Sequence, residues 1–364
     1  MKADIVIRAD ANGRIGGGHL MRCLTIAKAL RAQGASCLFA VASDTPESAR
    51  GLVRGAQFEL EILDAAHDDP EGWSEALIPV IRESGAGMVL LDSYAVTPET
   101  MRRIREAACL AYLDDLNAFP YPADLVINYN VYAESLRYPE NAGENGDTQY
   151  LLGTRYVPLR AAFQGLPRRM WEAVSPARIL FSAGAADPDY VTGTLIECAA
   201  EAARTAGCEA EFCVLAGAFN VHREELRKAA QEDPRIRLYT DLTAEEMRDL
   251  ILSCDLAVSA AGTTLHEIAA CGTPAITYVL ADNQMRNAQA FAAQGLMENA
   301  GDAREGSFAG RLTDILTEYL SRIRERDSAF FQGIMEKLQA AEDGEGAARI
   351  AHELITRQKD AQEP

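Results

Sequence analysis

The chain has 364 residues, 48% of them hydrophobic and 24% charged, with a formal net charge of −19 at pH 7. That length accommodates about two domains, each with its own core, in the composition range of a soluble globular protein. The acidic balance excludes an extended nucleic-acid surface, which needs a basic face, while leaving room for a small anion pocket.

No apolar run approaches the roughly 18 residues of a membrane helix, and the N-terminus lacks the charged-then-apolar layout of a signal peptide. A cytoplasmic protein without stable membrane insertion is therefore expected. The eight cysteines include no CxxC pair, which favours reduced core thiols over a disulfide framework or a zinc site.

Ile5-Val6-Ile7 is a short apolar run of the kind that forms a buried strand. Arg8-Ala9-Asp10-Ala11-Asn12-Gly13-Arg14-Ile15-Gly16-Gly17-Gly18-His19 follows, and Leu20, Cys23, Leu24, Ala27 and Leu30 then recur at helical spacing. Strand, glycine-rich turn and helix thus come in succession, with His19 where the helix opens. Consecutive Gly16, Gly17 and Gly18 permit positive φ and close approach of a ligand to the main chain. The first helical turn has free N–H groups and a partial positive charge suited to an anion. The same turn also serves simply to pack a helix on a sheet. It is not a dinucleotide fingerprint, because its glycines are contiguous and His19 and Arg22 replace small residues.

Strands are predicted at 36–42, 58–63, 88–92, 110–114 and 125–128. Between them, Thr45-Pro46 and Thr97-Pro98 each read as an N-cap followed by proline at the first helical position. This alternation implies a parallel sheet whose ligands lie at the carboxyl ends of the strands. Asp92, Tyr94, Asp114, Asp115, Asn128 and Asn130 fall at such ends. The Asp114-Asp115 pair has no histidine or further carboxylate near it in sequence, and strand-end aspartates commonly cap a turn; no metal is expected. Residues 129–147 read as a long loop and 158–176 as a linker between domains.

The second half restarts the pattern, with strands at 178–182, 212–215, 236–239, 256–259 and 275–278 and a helix at 190–206. A turn from Gly184 to Pro188 follows its first strand. At Ser259-Ala260-Ala261-Gly262-Thr263-Thr264-Leu265-His266-Glu267 a strand ends, small residues turn and a helix opens, which suits an anion. Thr264-x-x-Glu267 equally fits a capping box, as does Thr243-x-x-Glu246. His266 reads as a helix-face residue, and His67, His222 and His352 as surface residues. The tail from 336 to 358 is helical and charged, interrupted by Gly344 and Gly346.

Laid out in this way, the chain resembles the UDP-sugar hydrolases of the pseudaminic acid pathway, relatives of the two-domain GT-B peptidoglycan UDP-GlcNAc transferase. The resemblance runs nearly end to end. It is carried by Arg8-x-Asp10, Ile15-Gly16-x-Gly18-His19-x-x-Arg22, Asp92-x-Tyr94, Asp114-Asp115-Leu116 and Asp124-Leu125-Val126-Ile127-Asn128. Leu152-Gly153-x-x-Tyr156, Leu159-Arg160, Phe163, the Gly184–Pro188 turn, Gly262-Thr263-Thr264-x-x-Glu267 and Asn283-Gln284 extend it. One departure is Ala185-Ala186, where the family is usually richer in glycine.

The resemblance implies an α/β, GT-B-like fold of two Rossmann-like doubly wound domains facing across a cleft. Residues 1–160 would form the N-terminal domain, 161–176 the linker, 177–325 the UDP-binding domain, and 326–364 helices bracing both. It implies that water attacks the anomeric carbon and UDP leaves, with no metal or cofactor. His19 would be the general base, kept neutral by its helix terminus provided Asp10 or another carboxylate does not overcompensate, with Asp10 as the second catalytic residue. Gly262, Thr263 and Thr264 would hold the phosphates and Glu267 the ribose, with Asn283 and Gln284 on sugar groups. Asp92 and Tyr94 would line the sugar side. The first alternative is a glycosyltransferase, in which a sugar hydroxyl replaces water; the second is a non-catalytic nucleotide-sugar-binding protein. A dehydrogenase is disfavoured by the missing dinucleotide spacing.

Overall fold

The computed structural model describes residues 2–12, 18–138, 148–184, 186–217 and 220–360. The chain divides into two compact units, Met1–Leu159 with Glu345–Pro364, and Arg160–Gly344.

In the first unit the chain runs β1 (Ile5–Ala9), α1 (Gly18–Ala32), β2 (Cys37–Val41), α2 (Glu47–Gly55), β3 (Glu59–Ile62), α3 (Pro70–Ser84) and β4 (Met88–Asp92). It continues through α4 (Pro98–Arg105), β5 (Cys109–Leu113), β6 (Leu125–Asn128) and β7 (Gln149–Leu152). Among the described residues these strands make one parallel sheet of order β3-β2-β1-β4-β5-β6-β7. β1, β2 and β4 are buried along their whole length, as strands covered by helices on both faces must be. Edge strand β3 is polar and partly exposed, which discourages further pairing.

The side chains of Val6, Val89, Leu91 and Tyr112 point to one face and pack with Trp73, Leu77 and Ile81 of α3 and Met101 and Ile104 of α4. Thr97 caps α4 through a box completed by Thr100. α2 differs from expectation: Pro46 itself sits at the cap position and no side chain caps the helix. β7 was not anticipated, because its edge sequence Gln149–Leu152 lacks a continuous apolar run. A short 3-10 turn at Ala133–Leu136 lies within the expected long loop, whose residues 139–147 fall outside the described residues.

In the second unit, β8 (Ala177–Ser182), α5 (Val191–Ala206), β9 (Ala210–Ala216), α6 (Arg223–Glu232), β10 (Ile236–Thr240) and α7 (Ala244–Leu252) come first. β11 (Leu256–Ala260), α8 (Thr264–Ala270), β12 (Ala275–Val279), α9 (Met285–Ala293), β13 (Glu298–Asp302), α10 (Phe308–Arg324) and α11 (Ser328–Ala341) follow. The sheet order is β10-β9-β8-β11-β12-β13, again parallel throughout. Both sheets therefore reverse their winding beside the first strand, between β1 and β4 and between β8 and β11. Ligands of doubly wound folds bind at that switch point, beyond the carboxyl ends of the strands.

The stretch 161–176, expected to link domains, is part of the second unit. Trp171 stacks on Phe331 with ring centroids 4.7 Å apart, and Arg169 donates to the Thr273 hydroxyl at 2.9 Å and to the Cys254 carbonyl at 3.0 Å. The tail divides between the units. α11 buries Phe331, Met335 and Leu338 in the second, whereas α12 (Gly346–Asp360) packs on α1 of the first, where Gln33 donates to the Ala348 carbonyl at 2.8 Å. Among the described residues no helix is long and apolar enough to cross a membrane, and all eight cysteines are free thiols.

Candidate functional site

The register of β1 and β4 decides which carboxylate meets His19. Ala9 of β1 pairs with Asp92 of β4, so their side chains share one face and Asp10 points to the other. α1 lies on the Asp92 face. His19, the second residue of α1 and 6% exposed, places Nδ1 2.5 Å from Asp92 Oδ1. An ionised carboxylate only accepts, so Nδ1 carries the proton of this bond. Among the described residues no hydrogen bond reaches Nε2. On the opposite face, Asp10 pairs with Arg8 at 2.7 Å, both fully buried, and the Arg8 guanidinium lies 4.8 Å from the Trp73 ring centroid. Asp10, expected among the catalytic residues, instead belongs to an internal ion pair.

Arg22, one helical turn after His19, locks the arrangement. Its Nε donates to Asp92 Oδ2 at 2.6 Å and its NH2 to Oδ1 at 2.7 Å, a bidentate fork on the carboxylate that holds His19. Its NH1 donates to Asp115 at 3.1 and 3.2 Å and to the Tyr129 hydroxyl at 2.9 Å. Burial opposes the charge on Asp92, but the adjacent Arg22 guanidinium and His19 hold its carboxyl well below the usual range. Tyr94 meets the His19 ring edge-on, with centroids 4.6 Å apart, and donates to Asp115 at 2.7 Å. Burial and the Asp115 charge push the Tyr94 phenol up, which keeps it a donor.

Asp115 also accepts from Asn130 at 2.8 Å. Asp115, Tyr129 and Asn130 therefore complete a polar cluster around His19. The strand-end positions of Asp115 and Asn130 were readable in the sequence, Tyr129 only as the start of a loop; their convergence was not. Asp114 is structural: Tyr121 donates to it at 2.8 Å, the Asn117 amide at 2.7 Å, and Tyr138 completes the set. Among the described residues no group of three His, Cys, Asp or Glu side chains is placed to hold a metal. Gly16 and Gly17 lie outside the described residues, and Gly18 opens α1.

In the second unit, Gly184 follows β8 with φ +75°, a left-handed conformation that favours glycine. Asp187 holds the turn by accepting from the Val191 amide at 2.7 Å and the Thr192 hydroxyl at 2.6 Å; Ala185 lies outside the described residues. Gly262, Thr263 and Thr264 form the turn after β11. The capping-box reading of Thr264 and Glu267 fails, because α8 begins after Thr263 with no side-chain cap. The box at Thr243 and Glu246 does form.

Glu267 turns instead to Arg160, whose Nε lies 2.8 Å and NH2 2.7 Å from its Oε1. Burial raises the Glu267 carboxyl, and Arg160 opposes that rise. Asn283 is exposed, while the Gln284 side-chain oxygen accepts from the Leu280 amide at 2.9 Å. His266, expected on a helix face, lies on α8 with its Nδ1 2.5 Å from Glu342 Oε1, and both side chains are buried.

Residues 193–341 match the family model of the glycosyltransferase family 28 C-terminal domain. Over 81% of its length the chain is 20% identical to the spore coat polysaccharide biosynthesis protein SpsG of Bacillus subtilis, covering 83% of that protein. It is 24% identical over 78% of its length to the uncharacterized protein MJ1062 of Methanocaldococcus jannaschii, of which it spans 56%. Acinetobacter baumannii MurG superposes with a TM-score of 0.67 at 14% identity, over 98% of this chain and 100% of that one. Anabaena Alr3699/HepE, solved with UDP and glucose, superposes with a TM-score of 0.54 at 14% identity, over 97% and 99%. The chain has the fold of the GT-B glycosyltransferases, built from two Rossmann-like units with parallel sheets.

Proposed function

We propose that this protein is an enzyme acting at the anomeric carbon of a UDP-sugar. The observation that carries the proposal is the His19–Asp92–Arg22 arrangement at the switch point of the first unit. A neutral imidazole with Nδ1–H committed to a carboxylate and Nε2 open is a general base for an O–H nucleophile. Asp92 stabilises the imidazolium that forms once the proton arrives.

In the proposed step, the nucleophile oxygen bonds to the anomeric carbon and its proton passes to His19 Nε2. The bond from that carbon to the UDP oxygen breaks, and UDP departs with the electron pair. Nucleotide binding is assigned to the second unit, through Gly184, Gly262, Thr263, Thr264 and Glu267, with Asn283 and Gln284 toward the sugar. α8 has only seven residues, so the phosphates would be held by local N–H and hydroxyl groups rather than by a long helix dipole.

Two nucleophiles fit this chemistry. A hydroxyl acceptor, hence a glycosyltransferase, is the reading supported by the matched family model, which describes a glycosyltransferase domain. Water is the second reading, favoured by the opening motif with Arg8-x-Asp10 and Gly18-His19-x-x-Arg22. It would make the chain a metal-independent hydrolase of a UDP-activated diacetamido-trideoxy sugar in nonulosonic acid synthesis.

The test is UDP release from a panel of UDP-amino-sugars in EDTA, with and without candidate hydroxyl acceptors, for the wild type and His19→Ala. Release without acceptor that depends on His19 establishes hydrolysis. Release only with an acceptor establishes transfer. UDP binding with no release in any combination, or unchanged turnover in His19→Ala, overturns the proposed mechanism.

A further inference from the structure

We infer that Arg160 is a positioning residue that makes the second unit selective for ribonucleotides, by fixing the Glu267 carboxylate with one oxygen open to a ribose hydroxyl. The inference rests on the assignment of nucleotide binding to this unit.

Both bonds from Arg160 end on Oε1 of Glu267, and among the described residues no hydrogen bond is made to Oε2. The donor is itself held. Its guanidinium lies 5.3 Å from the ring centroid of Phe163, a residue with no exposed surface. Arg160 also begins the short 3-10 turn Ala161–Phe163, which sets its backbone. The Glu267 side chain is 14% exposed.

Glu267 lies one turn into α8, beyond Gly262, Thr263 and Thr264. A carboxylate accepts but does not donate, so the open oxygen selects a ligand hydroxyl. The fork from Arg160 removes rotamer freedom that Glu267 would otherwise lose on binding. It also opposes the rise that burial imposes on the Glu267 carboxyl. The adjacent His266 cannot take over this task, because its ring is engaged by Glu342.

A hydrogen bond to a charged group is worth roughly 10- to 100-fold in affinity. The test is calorimetric binding of UDP, 2′-deoxy-UDP and 3′-deoxy-UDP to the wild type, Arg160→Ala, Arg160→Lys and Glu267→Gln, with melting temperatures recorded in parallel. The wild type is expected to prefer UDP over at least one deoxy analogue by that factor. Arg160→Ala should lose most of the preference by weakening UDP binding while leaving the deoxy analogue nearly unchanged. Arg160→Lys, which keeps the charge but not the fork, should retain an intermediate preference and serves as the test if the alanine variant does not fold. Undiminished preference in the Arg160 variants overturns the inference and leaves the pair as structural only. A wild type that binds UDP without discriminating the analogues also overturns it. A wild type that binds no UDP fails at the earlier step and removes the nucleotide assignment itself.

Discussion

Asp92 accepts from His19 at 2.5 Å, while Asp10, whose amide donates to the Asp92 carbonyl at 3.2 Å, turns its carboxylate to the other face of the sheet. The two aspartates are neighbours along the backbone ladder and strangers as side chains. A strand sends successive side chains to opposite faces, so a single step in register assigns one aspartate to the candidate base and the other to a buried ion pair.

His19→Ala should lower turnover by about 10²- to 10⁴-fold, the usual contribution of a positioned base, with UDP affinity retained. Steady-state kinetics beside calorimetric UDP binding checks this. Equal losses in turnover and in UDP affinity would place His19 in binding rather than in proton transfer.

Asp92→Asn should lower both turnover and stability. Breaking a buried pair costs about 3–5 kcal/mol, and the loss here should fall at or below that range because Arg22 keeps Asp115. The carboxyl of Asp92 is held below its ordinary value. Its stabilising contribution is therefore fully present above the unfolded pKa of about 3.9 and is lost as pH falls toward the folded value. Urea unfolding should give the full gap between wild type and variant at neutral pH and a smaller one in acid.

Thr243→Ala and Thr264→Ala should separate capping from binding. Thr243 caps α7 through a complete box, so its loss should cost about 0.5–2 kcal/mol by denaturant unfolding. Thr264 caps nothing; its replacement should leave stability within about 0.5 kcal/mol and weaken UDP binding. An equally destabilised Thr264→Ala would return that residue to a structural role.

Gly346→Ala and Gly51→Ala should have opposite signs. A Cβ on Gly346 would lie 2.2 Å from the Val157 carbonyl oxygen, and overpacking of this kind costs about 1–3 kcal/mol. A Cβ on Gly51, inside α2, meets nothing within 4 Å, and the exchange should stabilise by about 0.4–1 kcal/mol. Thermal melts of the two variants check both.

Which parts of the fold were readable follows from burial. The central strands β1, β4, β8, β11 and β12 are continuous apolar runs because helices cover both faces, and each was legible. β7 and β13 lie at sheet edges and read Gln149–Leu152 and Glu298–Asp302; partly polar, they carry no such run. The Thr243 and Thr264 motifs look alike in sequence, yet only Thr243 forms its box. Glu246 reaches back to its own cap, whereas Glu267 is drawn off by Arg160, 107 positions away.

The sequence by itself determined two alternating α/β halves, the glycine-rich opening before His19, and the polar residues at strand ends, because apolar period and turn chemistry are local properties. Only the tertiary structure decided the partners. Asp92 rather than Asp10 meets His19, Arg22 joins Asp92 to Asp115, and Arg160 takes Glu267 from its helix cap. These pairings join residues 70 to 107 positions apart. They depend on strand register and on which face of the sheet each helix covers, and neither is written in local sequence.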